Sequence, residues 1–291
     1  MRYCSIVIPH FNQPDALHSC LHALSKQSLP SSSFEILVID QAKQDSTLNV
    51  EAFSNLEIKV FYHSANPNPY SSRNLGIKKS RGEIIGFLDA SCVPDIDWLK
   101  NGTTHFKNDK VDVVAGKFQM KHNSLESQRL VHGLMYLNNQ KNVNNKLGVP
   151  AGNLFVRKSL FNKIGLFPTF SKSGMDIHWT VRAREEGFRI IYDEKAIVEY
   201  PSKTFPELLR SIKKYASGAA LITLNTKTSP YRFLRTFMPL RIHHFLNALR
   251  YRNLDDLTVM KRINLYFLIW RARIEFGKQL FKARSSRKTE T

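Results

Sequence analysis

The segment from residue 71 to residue 95, SSRNLGIKKSRGEIIGFLDASCVPD, constrains the fold more than any other part of the chain. A polar segment containing Arg73 leads into the apolar run Ile84–Leu88, and Asp89 follows directly. An apolar run without alternation is typical of a strand covered on both faces, as in an open α/β sheet. Because ligands of such sheets bind beyond the carboxyl ends of the strands, we expect Asp89 at a ligand site. Arg73, one helix upstream, has a charge suited to phosphate.

Strand-like and helix-like patterns alternate along the first third of the chain. The predicted strands there are residues 5–9, 35–40, 57–62 and 83–89, and the predicted helices are residues 14–27 and 71–79. This alternation favours βαβ units, and therefore an α/β fold with a mainly parallel sheet flanked by helices.

The pattern is looser further along the chain. Predicted strands are residues 111–116, 117–121 and 189–192, and predicted helices are residues 158–164 and 176–186. The polar stretch 138–147, NNQKNVNNKL, is predicted to form a mobile loop or lid.

Positive charge is concentrated at the carboxyl end of the chain. Of the 291 residues, those from 201 to 291 include 19 Lys and Arg but only 5 Asp and Glu, whereas the rest of the chain is nearly balanced. Length and charge together predict two regions: a catalytic domain at 1–200 and a basic, amphipathic helical region at 201–291.

Cysteine usage and hydropathy bear on the compartment. The three cysteines, Cys4, Cys20 and Cys92, lack metal-ligand spacing and are interpreted as free thiols in a reducing compartment. The chain opens without a signal-peptide pattern, and no apolar stretch approaches the roughly 20 residues that span a bilayer. We therefore expect a cytoplasmic protein, either free or peripheral on the inner face of a membrane.

Three carboxylates stand where a ligand could meet them: Asp40 and Asp89 at strand ends, and Asp176 at the start of a helix. Each also has a structural explanation, since polar residues terminate strands and an Asp in a first turn caps a helix. Trp98 and Trp179 either line a sugar site or belong to the core. The glycine-rich dinucleotide and P-loop signatures are absent, which argues against a Rossmann oxidoreductase and a P-loop kinase.

Five segments, in order, resemble the inverting family 2 nucleotide-sugar glycosyltransferases of GT-A fold. They are SIVIPHFNQPDAL, EILVIDQAKQDST, SSRNLGIKKSRGEIIGFLDASCVPDIDWL, GVPAGNLFVRKSLFNKIGLFP and SGMDIHWTVRAREEGFRIIYDEKAIVEY. The third is the most diagnostic, because it joins an Arg-Asn-x-Gly helix to a strand end of the Leu-Asp-x-Asp type. The resemblance covers about two thirds of the chain, from Ser5 to about Tyr200.

The resemblance implies a role for each matching residue. Asp176 would be the catalytic base that takes a proton from the acceptor hydroxyl. The residues implied on the donor side are Pro9, Asn12, Asp40, Arg73, Asp89 and Ser91. Those implied on the acceptor or sugar side are Gly152, Asn153 and Trp179.

A divalent cation, Mg or Mn, is the cofactor that the resemblance implies, with Asp89 as its ligand. Ser91 stands where the family has its second Asp, and Met175 and Tyr200 also depart from the family pattern. Because hard cations prefer several oxygen ligands, Ser91 predicts weak dependence on metal.

The function implied by the resemblance is inverting transfer of a hexose from a nucleotide-sugar to a hydroxyl of a glycan or lipid-linked acceptor, as in cell-envelope polysaccharide biosynthesis. The departures leave open an inactive relative that binds nucleotide-sugar or glycan as a partner subunit. A nucleic-acid-binding role is the third alternative, which the charge permits, but no recognition motif is present and no nucleic acid is expected.

Helical stripes occur in the basic region. One combines Ile263, Phe267, Trp270, Ile274 and Phe281, with Arg and Lys around it; another combines Ile242, Phe245, Leu246 and Leu249. Such helices either pack on the catalytic domain or dock on an anionic membrane surface, for which this composition is suited.

Overall fold

The computed structural model describes residues 3–42, 50–63, 68–120, 127–136, 138–201, 203–224, 237–251, 254 and 256–288. The chain divides into two compact units. The first unit consists of Met1–Gln119 and Asn139–Pro201, and the second consists of Met120–Asn138 and Ser202–Thr291. The assignment of residues 1–200 to a catalytic domain and of 201–291 to a separate region stays a prediction.

One eight-stranded sheet organises the first unit. Its strands are β1 (Cys4–His10), β2 (Phe34–Asp40), β3 (Ile58–Tyr62), β4 (Ile84–Leu88), β5 (Val93–Pro94), β6 (Val113–Met120), β7 (Asn153–Arg157) and β8 (Ile190–Tyr200). The strand order is β3-β2-β1-β4-β7-β6-β8-β5. All four strands predicted in the first third of the chain are therefore present.

Strand direction changes across the sheet. β1 pairs in parallel with β2 and with β4, and β2 pairs in parallel with β3, whereas β7 runs antiparallel to β4 and to β6. In the pairing register His10 lies opposite Asp40, and Leu88 lies opposite Asn153. The carboxyl ends of β1, β2 and β4 therefore meet the amino end of β7 at one edge of the sheet, which is where parallel sheets bind ligands.

Helices follow or separate the strands. The helices of the first unit are α1 (Pro14–Leu24), α2 (Pro69–Lys79), α3 (Trp98–Thr104), α5 (Asn139–Asn144), α6 (Lys158–Ile164) and α7 (Met175–Glu185). Pro14 occupies the first turn of α1, where its fixed φ and missing N–H cost nothing. Asn68 caps α2, since its side chain accepts a hydrogen bond from the backbone N–H of Tyr70.

An aromatic cluster lies beneath the segment that leads into α7. Phe161, Phe167 and Trp179 contact one another, and Phe87 of β4 packs edge-on against both phenylalanines. All four side chains are buried. Full burial of one such side chain stabilises the fold by about 1.5–3 kcal/mol, so the cluster fixes the start of α7 relative to the sheet.

The structure corrects the prediction of a mobile loop at residues 138–147. Asn139–Asn144 form the short helix α5, which packs against β8. Asn139 is buried, and its side-chain amide donates a 2.8 Å hydrogen bond to the carbonyl of Gly116. A polar sequence predicts a mobile loop or lid, but here the Asn139 side chain is buried and its NH₂ group is bonded to a strand carbonyl.

Two further strand predictions were incomplete. The segments 111–116 and 117–121 belong to one strand, β6, and the strand predicted at 189–192 continues as β8 to Tyr200. The short edge strand β5 was not predicted; it pairs antiparallel with β8.

The cysteines are free, as expected. Cys4, Cys20 and Cys92 are all buried. Burial raises the pKa of the Cys4 thiol to about 12, so this thiol stays protonated at neutral pH.

The second unit is helical where it is described. Its helices are α4 (Ser127–Tyr136), α8 (Phe205–Leu224), α9 (Ile242–Tyr251) and α10 (Val259–Lys288). They share a core to which each contributes buried apolar side chains, among them Val131, Leu208, Phe245 and Ile269. Within the described ranges, no helix combines the length and apolarity that crossing a bilayer requires.

Candidate active site

Asp176 lies in the first turn of α7 with its carboxylate held by three donors. Gly174 adopts a left-handed φ of 79° immediately before the helix, a conformation that favours glycine. Oδ1 of Asp176 accepts hydrogen bonds from the Tyr70 hydroxyl at 3.0 Å and from the Ile177 backbone N–H at 2.9 Å. Oδ2 accepts one from the Ala151 N–H at 2.9 Å. Helix capping accounts for one of these three bonds; the other two come from other segments.

Tyr70, which sequence reasoning missed, orients this carboxylate. It is buried in the first turn of α2. Burial, together with the negative charge of Asp176, raises the pKa of the Tyr70 hydroxyl. The hydroxyl therefore remains protonated, and so remains a donor to Asp176, throughout the neutral and mildly alkaline range.

Arg73, one turn further along α2, forms an ion pair with Asp89, which follows β4. Nη2 of Arg73 lies 2.6 Å from Oδ1 of Asp89, and the Asp89 side chain is 34% exposed while that of Arg73 is 6% exposed. Burial disfavours the charged guanidinium, but the carboxylates of Asp89 and Asp176 outweigh it and raise the pKa of Arg73. The guanidinium also lies over the Tyr70 ring, 5.5 Å from its centroid. A fixed positive charge is thus present beside the exposed carboxylate.

The backbone before β7 connects the two carboxylates. Ala151 donates to Asp176, and the next residue, Gly152, lies against Asp89. A Cβ at position 152 would lie 2.7 Å from Oδ2 of Asp89, closer than real Cβ atoms approach any atom. Glycine is required here so that the chain can pass this close. We call Tyr70, Arg73, Asp89 and Asp176, with the backbone of residues 151–152, the carboxylate–arginine cluster.

Two asparagines of the α2 region hold the segment that precedes Asp176. The Asn68 amide donates to the carbonyls of Thr169 and Ser171, at 2.8 and 3.2 Å. Asn74 and Phe167 exchange two hydrogen bonds, at 2.8 and 3.0 Å. Helix α2 thus positions Asp89 through Arg73 and Asp176 through Tyr70, and the loop between α6 and α7 is fixed to the same helix.

Asp40 lies at the same edge of the sheet but is fully buried. Its Oδ1 accepts a 3.0 Å hydrogen bond from the Ala42 N–H and lies 3.2 Å from Nδ1 of His10, an ion-pair distance without hydrogen-bond alignment. Nε2 of His10 accepts from the Gln13 N–H at 3.1 Å. His10, which sequence reasoning also missed, therefore ties Asp40 to the turn after β1.

The other donor-side predictions fall around this turn. Pro9 is half-buried near the end of β1, and Asn12 is exposed with a left-handed φ of 49°. Ser91 is half-buried in the turn that follows Asp89, which is closed by a 2.9 Å bond from the Cys92 N–H to the Asp89 carbonyl. Their contact with a donor stays a prediction.

Two acceptor-side predictions meet a different environment from the one expected. Trp179 is fully buried, and its indole N–H donates to the Gly165 carbonyl at 2.7 Å. Asn153 is also fully buried: its amide donates to the Lys117 and Ala196 carbonyls, and its oxygen accepts from the Trp98 indole. The polar groups of both residues are thus satisfied within the protein, and their contact with a sugar or an acceptor stays a prediction.

The side chains around Asp89 do not make a divalent-metal site by themselves. Mg²⁺ and Mn²⁺ take about six oxygen ligands. Asp89 supplies one carboxylate, whose Oδ1 is held by Arg73, and Ser91 replaces a second carboxylate. In the part of the chain that the structure describes, no three His, Cys, Asp or Glu side chains group in a way that could hold an ion.

The mixed sheet, with carboxylates and an arginine at the carboxyl edge of its parallel strands, is that of a GT-A glycosyltransferase. The sequence profile of glycosyl transferase family 2 matches residues 5–165, more than half of the chain. The chain belongs to this family and is a glycosyltransferase. The predicted fold class and enzyme class are thereby confirmed, and nothing favours an inactive relative or a nucleic-acid-binding protein.

Two curated relatives illustrate the similarity. Glycosyltransferase AglE of Haloferax volcanii is 28% identical over 285 residues, which cover 94% of this chain and 93% of AglE. A Methanococcus voltae enzyme is 31% identical over 115 residues, 38% of this chain and 36% of that enzyme. It is a dolichyl N-acetyl-α-D-glucosaminyl phosphate 3-β-D-2,3-diacetamido-2,3-dideoxy-β-D-glucuronosyltransferase.

Among solved structures, the mannosyltransferase PcManGT from Pyrobaculum calidifontis superposes with a TM-score of 0.65 at 15% identity, covering 100% of this chain and 88% of that one. That structure contains GDP-Man and Mn²⁺. At this identity the likeness supports the GT-A fold alone.

Proposed function

We propose that the protein transfers a sugar from a nucleotide-sugar donor to a hydroxyl group of a glycan or a lipid-linked acceptor, with inversion at the sugar C1. The acceptor oxygen forms its bond to C1 from the face opposite the leaving group, while the bond from C1 to the diphosphate breaks. The nucleoside diphosphate leaves with the electron pair of that bond, and the acceptor proton goes to a base.

Asp176 is the base in this proposal. Its carboxylate is only 8% exposed but is oriented by three hydrogen bonds, two of which come from other segments of the chain. Each carboxylate oxygen has two acceptor positions, so Oδ2 can accept an acceptor hydroxyl in addition to the Ala151 N–H. This fixed orientation, beside a charged arginine, is the observation that carries the proposal.

Arg73 and Asp89 hold the donor in this proposal. The transferring sugar develops positive charge and the diphosphate develops negative charge, so a fixed guanidinium near the diphosphate stabilises the transition state more than the ground state. Asp89, with its exposed carboxylate, contacts the donor ribose or sugar. Asp40 and His10 shape the turn containing Asn12, on the nucleotide side.

The names of similar proteins support the proposed classes of donor and acceptor. PcManGT was solved with a nucleotide-sugar bound, and the Methanococcus voltae enzyme acts on a dolichyl-phosphate-linked sugar by its name. AglE matches this chain over almost its full length. A lipid-linked acceptor would place the enzyme at the inner face of a membrane, as a peripheral protein of cell-envelope glycan synthesis.

Metal is proposed to play a minor part. In this proposal Asp89 contacts a cation near the donor diphosphate, and the Ser91 hydroxyl is a weaker ligand than a carboxylate at that position. We therefore propose weak dependence on Mg²⁺ or Mn²⁺.

A nucleotide-sugar panel tests the function. The melting temperature is measured with UDP-, GDP- and dTDP-linked sugars, with and without Mn²⁺, since a ligand that binds only the folded protein raises it by mass action. At least one donor is expected to raise the melting temperature and, with a glycan or polyisoprenyl-phosphate-linked sugar as acceptor, to release its nucleoside diphosphate. If every donor leaves both the melting temperature and nucleotide release unchanged, the proposed transfer is wrong.

A further inference from the structure

Helix α10 has two apolar faces, and the second of them is only partly covered by packing. The inward face carries the buried side chains Leu265, Ile269, Ala272 and Leu280. The outward face carries Met260, Ile263, Phe267, Trp270, Ile274 and Phe281, which we call the outer stripe. An ordinary surface helix has one apolar face and one polar face, so packing within the unit does not explain the exposed members of the outer stripe.

Four of the six side chains of the outer stripe are exposed to solvent, and the other two, Trp270 and Ile274, are half-buried. Met260 is 74% exposed, Ile263 46%, Phe267 55% and Phe281 59%. Successive members of the stripe, with Lys278 completing the series, are three or four residues apart and therefore lie on one side of the helix. Between Met260 and Phe281 the stripe extends for about 32 Å at 1.5 Å per residue.

Exposed apolar side chains are concentrated in this unit. Of the 13 large hydrophobic side chains recorded as exposed in the described residues, eight fall between residues 238 and 281. They are Met238, Ile242, Leu246, Val259, Met260, Ile263, Phe267 and Phe281. Isolated exposed hydrophobic side chains are ordinary, but a concentration of this kind marks an interaction surface for a protein or a membrane.

Charge distinguishes between the partners that could cover the outer stripe. A cavity of about 420 Å³ beside the stripe is lined by two exposed cations and one half-buried carboxylate, Arg271, Lys278 and Glu275, and by the apolar side chains of Leu209, Phe267, Trp270 and Ile274. The region 201–291 has 19 basic against 5 acidic residues, so a second copy of the chain would bring like charge against like charge. A nucleic acid would match the charge but would leave the aromatic and aliphatic stripe uncovered.

We propose that the outer stripe, with Arg271 and Lys278, is a docking surface for an anionic phospholipid bilayer. Helix α10 lies parallel to the membrane plane, with its stripe among the acyl-chain ends of the headgroup region and its cations at the phosphates. This proposal rests on the proposed function, because a lipid-linked acceptor is the reason to expect a membrane as the partner.

Trp270 provides a native reporter of this docking. The chain has three tryptophans, of which Trp98 and Trp179 are fully buried. Trp270 is half-buried on the stripe, and its indole N–H donates to the Phe237 carbonyl at 2.9 Å. Quenching by brominated lipid therefore reports on Trp270, and a Trp270→Phe variant should lose the signal while still binding.

The full chain is sedimented with phosphatidylglycerol-containing vesicles and with pure phosphatidylcholine vesicles. We expect the protein to bind the anionic vesicles and to bind them less as salt rises, because salt screens the charges. We also expect brominated lipid to quench the fluorescence of Trp270. Failure to pellet with anionic vesicles, equal pelleting with both kinds, or pelleting without quenching overturns the proposal.

Variants locate the surface. Phe267→Ser is expected to lower the vesicle partition coefficient about tenfold, whereas Ile96→Ser, equally exposed but in the first unit, should leave it unchanged. Replacing both Arg271 and Lys278 by Gln should lower the partition coefficient on the order of tenfold. The control Lys110→Gln, at an exposed lysine of the first unit, should leave the coefficient unchanged. Melting temperatures establish that the variants are folded; should Phe267→Ser unfold the chain, the charge pair decides.

Two other results have defined meanings. Sedimentation equilibrium that shows a dimer of the wild-type chain and a monomer of Phe267→Ser, without vesicle binding, assigns the stripe to self-association and overturns the proposal. Vesicle binding requires no sugar transfer. A protein that docks through the stripe but transfers no sugar therefore contradicts only the proposed function.

Discussion

The hydroxyl of Tyr70 donates a 3.0 Å hydrogen bond to Oδ1 of Asp176, from a residue 106 positions earlier in the chain. Tyr70 also lies under the Arg73 guanidinium, whose Nη2 contacts Asp89. The first two turns of α2 therefore fix the orientation of the proposed base and of the proposed donor-binding pair together. If these roles hold, one helix sets the geometry between base and donor, which is the arrangement that transfer between two bound substrates requires.

Tyr70→Phe should lower kcat by roughly 10- to 100-fold, because a hydrogen bond to a charged group contributes about 1.5–3 kcal/mol and the aromatic packing is retained. Donor affinity should change little. Steady-state kinetics with titration of both substrates provides the measurement. Tyr3→Phe is the matched control, since the Tyr3 hydroxyl donates to Glu57 in an exposed hydrogen bond. A kcat within twofold of wild type would remove Tyr70 from the positioning of Asp176.

Asp176→Asn should retain donor binding and lower kcat on the order of 10²–10⁴-fold, the usual contribution of a positioned base. The amide keeps the shape of the side chain but cannot take the proton. Calorimetry with the donor and single-turnover kinetics measure the two effects separately.

Asp15→Asn is the control for helix capping. Asp15 also stands in the first turn of a helix, α1, and is exposed. If both substitutions cost only stability and activity stays within a few-fold of wild type, Asp176 is a helix-capping residue and the mechanism needs another base.

The residues of the site that can be predicted from sequence are those at strand and helix ends. Asp89 follows an apolar strand, Arg73 lies in the preceding helix, and Asp176 opens a helix after a glycine. These patterns are local, and the structure brings the three residues into one cluster. No local pattern indicates Tyr70, because its role depends on its hydrogen bond to Asp176 in a distant segment.

Residue type alone also does not predict the surroundings of two side chains. Asn153 and Trp179 suit a sugar site by chemistry, yet the protein's own carbonyls and indole groups use their polar atoms. Whether a polar group faces a ligand or its own backbone is decided by burial, which periodicity does not reveal in a polar segment. The same limitation turned the helix Asn139–Asn144 into a predicted loop.

Gly152→Ala should lower donor affinity, because the new Cβ would lie 2.7 Å from Oδ2 of Asp89 and would displace that carboxylate. Loss of activity at least tenfold is expected, since a displacement on the order of 1 Å in a site can cost about 10²-fold. Equilibrium donor binding together with kcat/KM measures the effect.

Gly86→Ala serves as the comparison for Gly152→Ala. Its Cβ would lie 3.2 Å from the Phe155 ring, so it crowds the core without contacting Asp89. The two variants should both lose thermal stability, but only Gly152→Ala should lose donor affinity out of proportion to stability. Equal donor affinity in the two folded variants would show that the close approach of Gly152 to Asp89 has no part in donor binding.

Divalent metal should have a weak effect on activity. Asp89 supplies one carboxylate with one oxygen held by Arg73, and Ser91 supplies a hydroxyl where a second carboxylate would strengthen the ligand set. We expect either substantial activity in EDTA or a requirement in the millimolar range. Activity is measured over a Mn²⁺ and a Mg²⁺ titration, and Mn²⁺ binding to the donor-free protein is measured by calorimetry.

Ser91→Asp sharpens this test, because it restores a carboxylate two residues after Asp89. It should tighten Mn²⁺ binding and shift the activity titration to lower concentration, whereas Ser31→Asp, at an exposed site outside the carboxylate–arginine cluster, should change neither. Sub-micromolar Mn²⁺ binding by the wild-type protein without donor, together with complete loss of activity in EDTA, would show that the side chains around Asp89 hold a metal more tightly than their oxygen ligands imply.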